Sequence, residues 1–145
     1  MNIKTAYLGE IEINPSDILS FEHGIPGFED EKEFVQLPLS DESVFQVLQS
    51  VKTEGLAFII ASPYVAVANY SFELEEATIQ ALDIQREEEV AVFGIVSLKD
   101  TLADSTINLK APIVVNIINK KAKQAILEKE DHAIRHKLDA ESEKG

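Results

Sequence analysis

The chain has 145 residues, no cysteine and a formal net charge of −13 at pH 7. A chain of this length forms one domain that buries about 68% of the surface of its unfolded state, so its core requires no disulfide or metal, and the lack of cysteine excludes thiolate catalysis, thiolate zinc sites and iron–sulfur clusters. The negative charge repels phosphate backbones and attracts basic proteins, so we expect a protein partner and no direct contact with nucleic acid.

The first elements are a hairpin, a short strand and a loop. Residues 2–14 alternate apolar and polar side chains on both sides of a glycine, which predicts the hairpin, and Asp17 to Phe21 predicts the strand. Glu22 to Phe28 contains two glycines and a proline, the composition of a tight loop. Ile25 and Phe28 within this loop either pack beneath it or are offered to a partner, and packing is the commoner outcome.

Short apolar or alternating runs predict further strands through the middle of the chain, and one segment changes period. Acidic residues open the segment Glu75 to Asp83, whose spacing predicts a short helix. Gly94 interrupts the apolar run that follows Glu87 to Glu89, which indicates a bulge or a close approach of backbones. The predicted strands are Phe34–Leu37, Val44–Gln49, Gly55–Ala61, Val65–Phe72 and Val90–Leu98.

The clearest strand pattern runs from Thr106 to Asn116. Polar and apolar residues alternate up to Pro112, and the chain then becomes apolar through Ile118, so we expect both faces of the second half to be covered. Proline at that point predicts a bulge or an edge. Asn108 and Asn116 are unusual in strands, so each is expected to have assigned hydrogen-bond partners or to cap a local turn.

Two interpretations remain open for residues 120–138. Apolar residues such as Ala122 and Ile126 recur near helical spacing among good helix formers, which favours a helix. The same residues also alternate as in a strand. Residues 139–145 are polar and are expected to form a flexible tail after a single domain over residues 1–138.

No arrangement of residues predicts catalysis. His132 and His136 are spaced as metal ligands on a helix, but no acidic third ligand has the required spacing, and His23 is more typical of a hydrogen-bonded loop residue. Paired carboxylates follow from the acidic composition. We therefore expect a binding protein without metal or cofactor, and no secretory signal or membrane span, which favours the cytoplasm.

Three segments resemble the flagellar assembly factor family FliW: Gly24-Ile-Pro-Gly-Phe-Glu29, Leu48-Gln-Ser50 and Thr106-Ile-Asn-Leu-Lys-Ala-Pro-Ile-Val-Val-Asn116. The resemblance covers nearly the whole chain, and the Asn-Leu-Lys-Ala-Pro-Ile motif is its most specific part. It implies a mainly all-β fold, a small antiparallel barrel-like domain with one short helix. It also implies that the segment from Ala122 to Leu127 is a strand.

The resemblance further implies a partner-switching regulator. Members of this family bind CsrA, a basic translational repressor of flagellin synthesis, and also bind flagellin, so that the flagellin level decides whether the repressor is free. The alternative within the same setting is an export chaperone for flagellin with no regulatory role. An enzyme with a site at the barrel mouth and a structural flagellar subunit are the rivals, and a monomer is expected when no partner is bound.

The charge distribution and loop positions lead to two site hypotheses. Residues 1–119 hold 6 Lys or Arg against 20 Asp or Glu, whereas residues 120–145 hold 7 against 6. Complementary charge speeds association and selects partners, so acidic loop residues are the expected contacts with the repressor. A groove for a helical end of flagellin requires exposed apolar anchors. The expected repressor contacts are Glu29, Glu87, Glu88 and Glu89, and the expected flagellin contacts are Ile25, Phe28, Ile134 and Leu138.

Overall fold

The computed structural model describes residues 1–40, 43–101, 104–128 and 131–138, which form eleven short strands, one α-helix and three 3-10 turns. The helix α1 spans Glu76–Ala81, within the segment expected to be helical, and the turns span Pro15–Asp17, Pro63–Val65 and Glu87–Glu89. The strands are β1 (Asn2–Lys4), β2 (Glu10–Glu12), β3 (Leu19–Phe21), β4 (Glu33–Pro38), β5 (Gln46–Ser50), β6 (Ala57–Ala61), β7 (Val90–Ser97), β8 (Thr106–Ile107), β9 (Ile113–Asn116), β10 (Lys121–Gln124) and β11 (His136–Lys137).

Seven strands close into a barrel in the order β7, β6, β5, β4, β3, β10 and β9, and β9 returns to pair with β7. All neighbouring pairs are antiparallel except β3 and β10, which run parallel. A closed ring with an odd number of strands cannot alternate direction throughout, so at least one parallel pair is required by geometry. The expected all-β barrel with one short helix is confirmed, with this parallel seam as an addition.

Alternate side chains along the barrel strands fill its interior. The rings of Phe21 and Phe34 meet edge to face with their centroids 5.3 Å apart, which is a favoured aromatic geometry. Residues of this interior cluster come from six strands and from the loop after β3. They are Leu19, Phe21, Ile25, Phe34, Leu48, Ile60, Ile113, Val115 and Ala122.

The outer face of the barrel is also covered, which explains the continuous apolar runs in its strands. The hairpin of β1 and β2 packs over Val35, and the helical region packs over Val114 through Leu82. Residues after β6, together with Leu138, pack over Ile59. A strand buried on both faces has no polar side to mark its period, so a plain apolar run is the expected sequence.

Gln49 links the hairpin of β1 and β2 to the barrel by hydrogen bonds. Its side chain is buried, and its Oε1 accepts a hydrogen bond from the backbone N–H of Ala6 at 2.9 Å. Its Nε2 donates to the backbone carbonyls of Ser50 at 3.0 Å and Leu56 at 3.2 Å. A buried amide with both ends paired avoids the penalty of an unsatisfied polar group.

The strand expected from Val65 to Phe72 is wrong. Pro63 opens a 3-10 turn whose N-cap is Ser62, and the chain then continues through further turns. Proline lacks an N–H and has a restricted φ, so it ends the ladder of β6 instead of extending it. Tyr70 lies in the outer cluster, where its hydroxyl donates to the carbonyl of Leu109 at 2.8 Å.

The helix favoured by the periodicity of residues 120–138 is also wrong for the described part of that segment. The segment runs extended beside residues 105–115, as the family resemblance implied. The N–H of Ala125 donates to the backbone carbonyl of Pro112 at 2.9 Å, and the N–H of Leu127 donates to that of Lys110 at 2.8 Å. These long-range bonds outweigh local helix propensity. Residues 139–145, expected to form a flexible tail, lie outside the described residues.

The strand expected from Thr106 to Asn116 is broken into β8 and β9. Asn108 causes the break, because its Oδ1 accepts from the N–H groups of Lys110 and Ala111, both at 3.0 Å. Gly94 of β7 lies opposite the break, where a Cβ would stand 2.5 Å from Cγ1 of Ile107 and 3.0 Å from the carbonyl oxygen of Asn108. The expected close backbone approach at Gly94 is therefore confirmed.

We predict that Gly94→Ala lowers the free energy of unfolding by about 1–3 kcal/mol, because the added methyl overpacks against the buried Ile107. Urea unfolding followed by circular dichroism measures the change. Gly55→Ala is the matched control, since a Cβ there meets nothing within 4 Å and the backbone φ is not positive. Equal stability of Gly94→Ala and the control would contradict the predicted clash.

Candidate protein-binding surfaces

Asn116 organises one end of the barrel. Its side chain is buried, its Nδ2 donates to the carbonyls of Leu82 at 2.9 Å and Asp83 at 3.3 Å, and its Oδ1 accepts from the N–H of Ile118 at 2.9 Å and of Asn119 at 3.3 Å. The assigned partners expected for this amide are confirmed, and they join the end of β9 to the end of α1. The turn after β9 is thereby held in one conformation.

That turn leaves two isoleucines at the surface. Ile117 and Ile118 were expected to be covered as part of the strand, but Ile118 is 69% exposed and Ile117 is also exposed. The strand ends at Asn116, so their side chains no longer face either layer of the core. The backbone N–H of Ile117 donates to the carbonyl of Glu89 at 2.8 Å, which places the two isoleucines beside the acidic 3-10 turn.

In the acidic turn Glu87–Glu89 the side chains of Glu87 and Glu88 are exposed and that of Glu89 is half-buried. Its backbone is held in place, because the N–H of Val90 donates to the carbonyl of Glu87. The side chain of Glu89 accepts from the N–H of Gln85 at 2.9 Å, so this carboxylate also helps to shape the loop. Glu87 and Glu88 therefore project from a fixed backbone into solvent, where their charge is complementary to a basic partner.

An open trough of about 660 Å³ lies next to this turn. Apolar side chains that are only half-buried form its floor, and Glu73, Arg86 and Glu87 stand among its lining. A pocket of this volume is within the range of protein ligand sites. The half-buried apolar side chains are Phe72, Leu74, Ile79, Ile84, Val90 and Val92.

The loop after β3 carries Ile25 and Phe28, both expected as flagellin contacts, but only one of them is exposed. Ile25 is 2% exposed and belongs to the barrel interior, which confirms packing beneath the loop for this residue. Phe28 is 42% exposed and rests edge to face on Phe58, with the ring centroids 5.6 Å apart. Gly24 has a φ of +67°, and a Cβ there would stand 2.6 Å from the carbonyl oxygen of Phe28, so the loop requires glycine.

Glu29 lies apart from Glu87, Glu88 and Glu89, the other three residues expected to contact the repressor. Its carboxylate accepts from the N–H of Gly27 at 2.8 Å and lines a cleft of about 700 Å³ between the loop and β10. Lys32, Lys121 and Lys123 line the same cleft. Glu29 therefore shares its cleft with three basic residues, and it does not line the trough beside Glu87.

The four expected apolar anchors do not form one groove. Ile134 is 59% exposed, but Leu138 is 4% exposed and packs in the outer cluster with Val47 and Ile59. Ile25 belongs to the separate interior cluster. Side chains buried in two different clusters are not available to a partner, so only Phe28 and Ile134 of this set offer apolar surface.

His132 and His136 have structural contacts. Nε2 of His132 lies 2.9 Å from the carbonyl oxygen of Ser71, and its ring lies 4.7 Å from that of Tyr70. Nδ1 of His136 lies 2.8 Å from the carbonyl oxygen of Lys137. Among the described residues no group of three or more His, Asp or Glu side chains could hold a metal. No helix in the described ranges is long and apolar enough to cross a membrane.

Comparisons with known proteins agree on one family. The family model described as FliW protein matches residues 2–138. The flagellar assembly factor FliW of Bacillus velezensis is 48% identical over 94% of this chain and 95% of its own length, and that of Bacillus subtilis is 45% identical over 98% and 99%. A crystal structure of the flagellar assembly factor FliW superposes with a TM-score of 0.90 at 40% identity, covering 95% of this chain and 96% of the other.

We predict that Asn116→Ala lowers the free energy of unfolding by about 1–3 kcal/mol, because buried backbone groups at the end of α1 and in the turn lose their partner. Thermal and urea unfolding measure the loss. Asn108→Ala is the control, since its amide oxygen accepts from N–H groups two and three residues away and the residue is half-buried. Equal losses in the two variants would contradict a special role for Asn116.

Proposed function

The chain belongs to the FliW family of flagellar assembly factors, and from that premise we propose that it couples flagellin synthesis to flagellin export by exchanging two protein partners. Free protein captures the translational repressor CsrA in the cytoplasm and so permits synthesis of flagellin. Flagellin that accumulates before export occupies the protein and leaves the repressor active. Export of flagellin then reverses the exchange.

The observation that carries this proposal is the match to flagellar assembly factors over nearly the whole chain, rather than over a fragment of it. The charge distribution supports it independently. Residues 1–119 hold 20 acidic against 6 basic side chains, which suits capture of a basic RNA-binding protein and opposes contact with RNA itself.

We place the repressor contact at the acidic turn Glu87–Glu89. Glu87 and Glu88 are exposed on a backbone fixed by hydrogen bonds, so little backbone entropy is lost when a partner binds this turn. Glu29 is a weaker candidate, because three lysines share its cleft. For flagellin, Phe28 and Ile134 supply the exposed apolar surface that remains of the expected groove.

The alternative function is a flagellin export chaperone without a regulatory role. Both functions require flagellin binding, so only the repressor distinguishes them. The experiment is calorimetric titration of the purified protein with CsrA, with flagellin, and with each partner in the presence of the other. Partner exchange predicts that both bind and that flagellin displaces the repressor. Binding of flagellin alone would support the chaperone, and binding of neither would reject both functions.

We predict that the double substitution Glu87→Lys/Glu88→Lys weakens CsrA binding about tenfold or more, mainly by slowing association, and flattens the dependence of the association rate on salt. Surface plasmon resonance at two ionic strengths measures both effects. Glu89 is left unchanged because its carboxylate accepts from Gln85 and supports the loop.

The control for this experiment is Glu10→Lys/Glu12→Lys on the exposed strand β2, which alters the net charge by the same amount at another place. A local contact predicts that only the variant in the acidic turn loses affinity. An equal loss in both variants would mean that total charge acts, rather than this turn. An unchanged affinity in the first variant would reject the acidic turn as the contact.

A further inference from the structure

We propose that the trough beside the acidic turn is the docking site for a segment of the repressor that carries apolar side chains flanked by lysine or arginine. The inference rests on the proposed function and adds to it the surface that retains the partner after charge has attracted it. Three observations support it: the origin of the trough, the chemistry of its lining and the charge around it.

The trough originates where β6 ends before β7 does. On one side β7 pairs with β9 from Val90 to Phe93, whereas on the other side β6 pairs only with residues 94–96. The same register places Val92 opposite Pro63, which has no N–H and opens the 3-10 turn. The first residues of β7 therefore have no strand beside them on that side within the described part of the chain, and Val90 and Val92 stay half-buried.

The floor of the trough is apolar, with six half-buried aliphatic or aromatic side chains around a volume of about 660 Å³. A partner that covers apolar surface in an open concave site removes it from water, and this burial favours binding. Interfaces obtain most of their affinity from such central apolar pockets, while the charged rim contributes to association and selection. The trough is thus suited to receive apolar side chains.

The surroundings of the trough determine which kind of segment it attracts. The two segments that border it, residues 71–79 and 83–89, carry seven carboxylates and one arginine. Glu73, Arg86 and Glu87 line the trough itself, Glu88 is exposed in the adjoining turn, and Glu89 is half-buried there. A negative border around an apolar floor is complementary to apolar residues flanked by basic ones and disfavours an acidic segment. Because of this complementarity we assign the trough to the basic partner, the repressor CsrA.

Ile79 is the position that tests the trough with least damage to the fold. It is half-buried, lines the trough and lies on α1, outside the four clusters of the core. We expect Ile79→Ala to raise the dissociation rate of CsrA about fivefold to tenfold while the association rate changes less than twofold, because contact area is lost and charge is not. Ile79→Trp, which fills the trough, is expected to weaken binding at least tenfold.

The matched control is Ile126→Ala, which removes the same atoms from an exposed isoleucine that does not line the trough. Surface plasmon resonance with CsrA and with flagellin measures all three variants, and thermal unfolding confirms that each is folded. Unchanged dissociation in both Ile79 variants overturns the docking site while the proposed function stands. Loss of flagellin binding with intact repressor binding overturns the choice of occupant. A wild-type protein that does not bind the repressor overturns both the inference and the proposed function.

Discussion

Closure of a seven-stranded ring is the constraint on which the rest of the structure depends. An odd ring cannot alternate direction at every step, so β3 and β10 must run parallel, and a parallel pair requires a long connection between its strands. Of the 145 residues, 99 lie between Phe21 and Lys121, and the barrel is complete only when β10 pairs with both β3 and β9. Closure removes most of the strand edges that an open sheet of this size would expose, and the start of β7 remains unpaired on the side of β6.

Closure also determines where surface is available to a partner. Because both faces of most barrel strands are covered, side chains that look prominent in the sequence, such as Ile25 and Leu138, belong to the core. Apolar surface remains where covering elements end: at the turn after β9, at the loop tip with Phe28, and where Pro63 stops β6 short of the start of β7. The acidic turn Glu87–Glu89 lies between the turn after β9 and the place where β6 stops.

Asn116 connects the fold to that surface. Its position at the end of β9 makes it part of the closing pair with Val90, and its buried amide holds both the end of α1 and the turn that carries Ile118. A single side chain therefore keeps the closing strand, the helix and the exposed isoleucines in one arrangement. Polar groups buried in this way give little net stability when paired and a large penalty when unpaired, so they favour one conformation over its alternatives.

The sequence by itself determined the features that depend on neighbouring residues: most strands, the helix near Glu76, the close approach at Gly94, and a negative body suited to a basic partner. Local periodicity could not decide between helix and strand for residues 120–138, and only the family resemblance implied a strand there, because the bonds that make this segment extended come from residues distant in sequence. Charge singled out Glu87 to Glu89 in the sequence as expected partner contacts. The trough beside them was not predicted, since its apolar residues belong to three separate segments that only barrel closure brings together.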